Sequence, residues 1–125
     1  MKRPIATDRA PKPGPYSQGI VAGDTLYVSA VGPVDPATGQ VVGGPFEEQA
    51  ARAIENIRAI VEAAGGTLDD VVKVTAFLAD LGDFPKFNEV YERHFKPPFP
   101  ARSTVQVVMN RGRLVLDAVA YLGKA

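Results

Sequence analysis

The chain has 125 residues, 46% of them hydrophobic and 22% charged, and its 14 basic and 14 acidic side chains cancel at pH 7, as expected for one globular domain over residues 1–125. No Lys/Arg block occurs and no apolar run nears the roughly 20 residues that span a bilayer, so we expect no nucleic-acid partner and no membrane partner. Cysteine is absent, which excludes disulfides and thiolate chemistry, and without an apolar signal core after Met1 we expect a cytoplasmic protein.

The N-terminal part is predicted to contain an irregular arm followed by a strand. Prolines in the segment 11–15 favour extended backbone, so we expect Tyr16 to be presented from an irregular segment. The β-branched and aromatic run 25–31 predicts a strand. Turn-forming residues at 33–39 end that strand.

Two amphipathic helices with a strand between them are predicted in the middle of the chain. Apolar residues recur every three or four positions from Phe46 to Ala64, and Gly65-Gly66 ends this first helix. Residues 71–78 predict the strand, and Asp83 is placed to cap the second helix. The predicted buried stripe of that helix consists of Phe84, Phe87, Val90, Tyr91 and Phe95.

Two further strands are predicted at the C-terminal end, over 102–109 and 114–122. Because only the segment 110–113 separates them, we expect a β-hairpin. Two helices cover only one face of such a sheet, so we expect another subunit to cover the other face. Depending on register, the apolar residues of that second face are Val72, Val74, Val105, Val107, Val115 and Val119.

Arg102 and Asp117 are the charged side chains that interrupt these apolar strands. An arginine that opens a strand must reach solvent or meet an anion, and its planar guanidinium fits a carboxylate. From spacing alone, a structural ion pair or a solvated side chain is favoured for Arg102, with binding of a small carboxylic acid as the alternative. A paired structural carboxylate is likewise favoured over a site residue for Asp117. Strand alternation places Thr104 and Gln106 on the face of Arg102.

Motifs of other enzyme classes are missing. The single histidine, His94, cannot build a His-cluster metal site, so we expect no metal and place His94 at a helix end or on the surface. No G-x-S-x-G elbow, P-loop or G-x-G-x-x-G sequence occurs, which leaves serine hydrolases, nucleotide hydrolases and Rossmann enzymes without support.

A series of motifs runs in unbroken order through almost the whole chain. They are Gly14-Pro15-Tyr16-Ser17-Gln18, Ser29 with Pro33-Val34-Asp35-Pro36 and Thr38-Gly39, Gln49 through Gly65, Val72 through Phe84 with Asn88 and Tyr91, and Phe99-Pro100-Ala101-Arg102-Ser103. This series resembles the Rid family of reactive imine deaminases, also called the YjgF family or L-PSP endoribonucleases. The resemblance implies an α+β, chorismate-mutase-like mixed sheet with two helices packed on one face. It also implies a homotrimer with sites between subunits.

The resemblance further implies an activity and a set of site residues. Deaminases of this family hydrolyse small 2-imino or enamine carboxylic acids to 2-keto acids and ammonia, without a cofactor. By motif, Arg102 is expected to hold the carboxylate. The other residues expected to line the intersubunit cleft are Tyr16, Ser29, Asn88 and Thr104.

One departure from the family pattern bears on catalysis. The glutamate thought to activate water in the family aligns with Val115, and the nearest carboxylate is Asp117, about 7 Å along the strand. Asp117 is therefore our candidate for the second catalytic residue. The alternative is a non-deaminase homologue that binds a small carboxylic acid as a sensor or pathway-specific protein. A ribonuclease is disfavoured by the neutral charge and the lack of a histidine acid/base pair.

Overall fold

A computed structural model describes residues 1–123. Its six β-strands form one mixed sheet. The strands are β1 (Lys2–Ile5), β2 (Gly19–Ala22), β3 (Thr25–Val31), β4 (Val71–Leu78), β5 (Ala101–Gln106) and β6 (Leu114–Tyr121); the helices are α1 (Phe46–Ala63) and α2 (Phe84–His94). The strands lie in the order β1-β2-β3-β6-β4-β5, and β4–β5 is the parallel pair. The α+β class and the mixed sheet with two helices agree with the prediction. Neither α1 nor α2, the two α-helices within residues 1–123, combines the length and the apolar character that a membrane span requires.

The core lies between the two helices and one face of the sheet. Along β6 the buried side chains alternate with partly exposed ones, as expected for a strand with one covered face. The buried stripe of α1 packs on this face, and α2 packs beside α1. The largest fully buried side chains include Phe46, Ile54, Ile57, Ile60, Leu78, Phe87, Leu114 and Leu116.

The strands over 25–31 and 71–78 and both helices occur where the periodicity predicts them, because each pattern is local. The helix α1 follows Pro45 and ends before Gly65, whose φ of +95° reverses the chain. Asp83 occupies the predicted cap position of α2, but its side chain makes no capping hydrogen bond. Asp80 instead caps the 3₁₀ turn Leu81–Asp83 that precedes α2, because its side chain accepts from the Gly82 N–H at 2.8 Å.

The expectation of an irregular arm is wrong for the chain's first residues, because β1 pairs with β2 along the sheet edge. Neither short strand carries a strong local pattern, so pairing with the neighbouring strand decides their conformation. The segment between β1 and β2 is irregular apart from a turn, and it presents Tyr16 as predicted.

The predicted C-terminal hairpin is also wrong. The strand β6 inserts between β3 and β4, while β5 pairs in parallel with β4 on its other side. The short predicted connection 110–113 suggested direct pairing, but β5 ends at Gln106 and the sheet joins β4 to both strands. Pairing between distant strands is a tertiary choice that turn length alone does not determine.

The sheet face away from the helices carries exposed apolar side chains. Tyr27, Val72, Val105 and Tyr121 are each between 41% and 53% exposed. Val74, in contrast, is 2% exposed and faces the helices, so its assignment to the open face is wrong. Phe84, predicted to be buried, is 37% exposed because it begins α2 at the edge of the core.

Candidate functional site

The side chain of Arg102 extends from β5 towards α2. One guanidinium nitrogen, Nη2, donates to Asn88 Oδ1 at 2.7 Å. The guanidinium carbon lies 4.8 Å from the ring centroid of Tyr91, 5.1 Å from that of Phe87 and 5.4 Å from that of Phe84. A cation at these distances from aromatic rings is stabilised by cation–π attraction. The predicted helix stripe thus supplies the support for the predicted arginine.

The ion-pair interpretation of Arg102 is not supported by this geometry. Within residues 1–123 the close pairs of basic and acidic side chains are Arg9–Glu62, Arg58–Glu55 and the contact of His94 with Glu55, and none includes Arg102. The amide oxygen of Asn88 is neutral, so it accepts a hydrogen bond without cancelling the charge. The guanidinium therefore keeps its positive charge and further N–H donors for an anion.

A cavity of about 410 Å³ opens beside the guanidinium. It is lined by Asn88, Tyr91, Glu92, Phe99, Pro100 and Arg102. The hydroxyl of Tyr91 is buried and has no hydrogen-bond partner in the described part of the chain. Burial raises the pKa of Tyr91 to about 12, and the charge of Arg102 opposes this rise. The phenol is therefore a neutral donor at physiological pH.

A second cavity, of about 570 Å³, contains other predicted site residues. Tyr16, Ser29 and Val115 line it. Ser29 is held in place because its Oγ donates to the carbonyl of Ser17 at 2.6 Å. Tyr16 is 56% exposed and lies on the irregular segment before β2. We call this space the Tyr16 cavity and the space beside the guanidinium the Arg102 cavity.

Buried side-chain amides hold the walls of the Tyr16 cavity. Gln18 is 5% exposed, accepts from the Thr7 N–H at 2.7 Å and donates to the Pro11 carbonyl at 2.9 Å. Asn56, on α1, is fully buried and donates to the carbonyls of Gly32 and Val34 at 3.0 and 2.9 Å. Buried polar groups of this kind are costly unless paired, so they specify the loop conformation.

The sequence pattern did not indicate a structural role for these two amides. Gln18 and Asn56 lie within motifs used for the resemblance, but only as matching letters. The available signal was the placement of Asn56 among the apolar positions of α1, where a polar residue needs a partner. For Gln18 no local signal existed, since its partners lie 7 to 11 residues away in an irregular segment.

Within one chain the predicted site residues do not meet at one place. Asn88 and Arg102 line the Arg102 cavity, whereas Tyr16 and Ser29 line the Tyr16 cavity. Thr104 lines neither cavity, although strand alternation places it on the face of Arg102.

Asp117 also lines neither cavity. It pairs with Thr75 on the open face, while Arg102 pairs with Val74, whose side chain faces the helices. Since cross-strand partners share a face, Arg102 and Asp117 lie on opposite faces of the same sheet.

No group of three or more His, Asp or Glu side chains within residues 1–123 is arranged to hold a metal ion. His94 ends α2, as expected for a helix-end residue. Its Nδ1 lies 2.9 Å from the Val90 carbonyl and its Nε2 lies 3.6 Å from Glu55 Oε2. The histidine is thus part of the helix-helix contact and lines neither cavity.

Comparison with known proteins gives a family match and close relatives. The family model described as Endoribonuclease L-PSP matches residues 7–115. A RutC family protein of Saccharolobus solfataricus is 57% identical over 108 residues, which cover 86% of both chains. The 2-iminobutanoate/2-iminopropanoate deaminase of Dermatophagoides farinae is 46% identical over 97% of both chains.

Solved structures share the fold over nearly the full length. RidA from the Antarctic bacterium Psychrobacter sp. superposes with a TM-score of 0.91 at 42% identity, over 95% of this chain and 98% of its own. TdcF of E. coli, solved with bound serine, superposes with a TM-score of 0.89 at 38% identity, over 97% and 99% of the two chains.

Proposed function

This chain belongs to the Rid family, and from that premise we propose that it hydrolyses small 2-imino or enamine carboxylic acids to 2-keto acids and ammonia. The observation that carries the proposal is Arg102, a cation within cation–π distance of three aromatic rings and open to a cavity. The relative named 2-iminobutanoate/2-iminopropanoate deaminase, 46% identical over 97% of this chain, supports the reaction class.

The proposed chemistry assigns Arg102 a binding and orienting role. Its guanidinium pairs with the substrate carboxylate, which places the adjacent C=N carbon in a defined position. A water oxygen bonds to that carbon and loses a proton, the C=N electron pair moves to nitrogen, and nitrogen takes up a proton, which gives a carbinolamine. The hydroxyl then loses its proton, nitrogen takes up a second proton, the C–N bond breaks with its electron pair leaving on nitrogen as ammonia, and the C=O bond forms. The sum is imine plus water giving keto acid plus ammonia.

We propose that a second copy of the chain completes the site, in a homotrimer. The Arg102 cavity and the Tyr16 cavity are separate half-sites in one chain, and the open sheet face exposes Tyr27 and Val105. Exposed apolar side chains on a helix-free face are stabilised when another subunit covers them. Joining the two half-sites across that contact brings Tyr16 and Ser29 to the ligand held by Arg102.

Proton transfer needs a group that Val115 cannot supply. Asp117 lies on the open face, so it reaches the imine only where a neighbouring copy supplies the arginine. Strand alternation places Thr104 on the same sheet face as Arg102, so we keep Thr104 as a proposed residue beside the ligand. Both roles, and the cytoplasmic location, stay predictions.

The experiment measures keto-acid formation when purified protein is added to an amino-acid oxidase that releases 2-iminopropanoate from alanine. We expect wild type to accelerate hydrolysis and Arg102→Ala to lose about 30-fold or more in kcat/KM, because removal of one partner of a buried charge pair costs about 2 kcal/mol or more. Arg93→Ala is the control, since Arg93 is exposed on the last turn of α2. No acceleration by wild type, or equal activity in Arg102→Ala, would contradict the proposal.

Val115 motivates a second candidate function. A valine at the position of the family's glutamate favours a homologue that binds a small carboxylic acid as a sensor or pathway-specific protein. The variant Val115→Glu separates the two functions in the same assay. Imine hydrolysis that appears in Val115→Glu from an inactive wild type supports the binding protein, and activity already present in wild type supports the deaminase.

A further inference from the structure

The Tyr16 cavity has a positively charged lining. Lys12 and Arg111 both line it, and no Asp or Glu does so within residues 1–123. The whole chain has a formal net charge of zero, so this positive charge is a local feature. A concave surface with one sign of charge attracts ligands of the opposite sign.

Val115 leaves the positive charge of the cavity uncompensated. It lines the same cavity at the position where the Rid resemblance places a glutamate. A carboxylate there would neutralise one of the two cations, and the isopropyl group does not. The cavity therefore has two cationic side chains and an apolar wall. Its charge favours an anionic ligand over a cationic or a neutral one.

The loop that carries Arg111 contacts the opposite wall of the cavity. Arg111 Nη2 donates to the Gly39 carbonyl at 3.1 Å, and Gly39 also lines the cavity. The next residue, Gly112, has a φ of +71°, and a Cβ there would lie 2.8 Å from Pro33 Cγ. The guanidinium uses one N–H on a neutral carbonyl, and its charge has no carboxylate partner in the described part of the chain.

We propose that the Tyr16 cavity binds a second carboxylate of the substrate, so that imines of dicarboxylic amino acids are preferred over imines of monocarboxylic ones. This inference rests on the proposed function and names its substrate class. The carboxylate beside the imine binds Arg102 of a neighbouring copy, and the distal carboxylate binds Arg111 and Lys12. The hydrolysis balances as before, with a dicarboxylic 2-keto acid and ammonia as products.

The test compares two imines made in the assay. An amino-acid oxidase releases 2-iminosuccinate from aspartate, and another releases 2-iminopropanoate from alanine. We expect wild type to hydrolyse 2-iminosuccinate with the higher kcat/KM. In Arg111→Ala we expect kcat/KM for 2-iminosuccinate to fall about tenfold, mainly through KM, because one charged hydrogen bond is lost. The rate with 2-iminopropanoate should change less than about twofold. Lys12→Ala should shift the same preference in the same direction.

Arg113→Ala is the matched control. Arg113 lies two residues further along the same loop and does not line the cavity. Its contribution to the fold is made by the backbone, since its N–H donates to Gln49 Oε1 at 2.9 Å and its carbonyl accepts from the Ala79 N–H. Removing its side chain changes net charge as Arg111→Ala does, so a loss common to both variants would be a general charge effect and would overturn the inference.

The outcomes separate this inference from the proposed function. If wild type hydrolyses both imines with no preference, or Arg111→Ala loses both equally, the dicarboxylate inference fails and the deaminase stands. If wild type hydrolyses neither imine, the deaminase fails, and calorimetric binding of oxaloacetate and pyruvate decides the inference. Tighter binding of oxaloacetate that is lost in Arg111→Ala supports it, and equal binding of the two acids overturns it.

Discussion

Three aromatic rings and one amide surround the guanidinium of Arg102. These contacts explain how a charged side chain is stabilised at the edge of the core. The start of an apolar strand indicated this residue, and the resemblance added Asn88. The observed arrangement adds Tyr91, which the helical period marks as buried but does not connect with Arg102. The contact of β5 with α2 brings Tyr91 beside Arg102, and no local sequence pattern predicts this contact.

Tyr91 leads to a prediction about alkaline stability. Burial raises its pKa in the folded state to about 12 from the ordinary value of 10.0, so between pH 10 and 12 the unfolded chain loses a proton that the folded chain keeps. The free energy of unfolding must therefore fall as pH rises through this window. We expect Tyr91→Phe to show a smaller fall, measured by urea unfolding at pH 8, 10 and 11.

The control for this prediction is Tyr16→Phe, because Tyr16 is 56% exposed. It should retain the pH dependence of wild type. Below pH 10, Tyr91→Phe should change the free energy of unfolding by less than about 1 kcal/mol, since the hydroxyl that it removes has no partner. Parallel pH profiles for Tyr91→Phe and wild type would contradict the assignment.

Among the secondary-structure elements, local patterns predicted each helix and the strands β3, β4, β5 and β6, although β5 ends at Gln106 and not at residue 109. The end of α1 shows why, because its termination depends on two adjacent glycines. The Gly65 N–H donates to the Glu62 carbonyl and the Gly66 N–H to the Val61 carbonyl, both at 3.0 Å. These bonds satisfy carbonyls at the helix end. They require Gly65 to adopt the left-handed backbone conformation.

We expect Gly65→Ala to lower the free energy of unfolding by about 1 kcal/mol, since φ at this position is +95°. Gly43→Ala is the matched control. A Cβ meets nothing within 4 Å at either glycine, and only Gly65 of the two has a positive φ. Gly43→Ala should stay within about 0.5 kcal/mol of wild type in urea unfolding. Equal effects of the two substitutions would show that backbone conformation is not the cause.

At the scale of the whole molecule, the open sheet face has the strongest consequence. Side chains along each strand point alternately to this face and to the helix-covered face. Val105 therefore lies on the open face, whereas Arg102, three residues earlier in β5, lies on the helix-covered face. A proposed trimer that buries this face also joins the two half-sites, so assembly and activity should be lost together. That linkage distinguishes an assembled site from one contained in a single chain.

The substitution Val105→Glu tests the assembly. A carboxylate placed on a buried subunit contact has no partner there, so we expect light scattering at micromolar concentration to show a trimer for wild type and smaller species for Val105→Glu. The control Val108→Glu adds the same charge at a side chain that is fully exposed in the segment 107–113, and it should remain trimeric. A monomeric wild type would contradict the proposed trimer.

The amino-acid sequence was sufficient to predict the class of the fold, both helices and the strands β3 to β6, because periodicity is a local property of the chain, and it marked Arg102 as a candidate site residue. The tertiary structure was needed to show that β6 lies between β3 and β4, that β1 and β2 lie at one edge of the sheet, and that Arg102 and Asp117 lie on opposite faces. It also decided that the predicted site divides into two cavities, one of them lined by Lys12 and Arg111. Pairing between distant strands sets these relations, and its free energy comes from contacts that no short stretch of sequence contains.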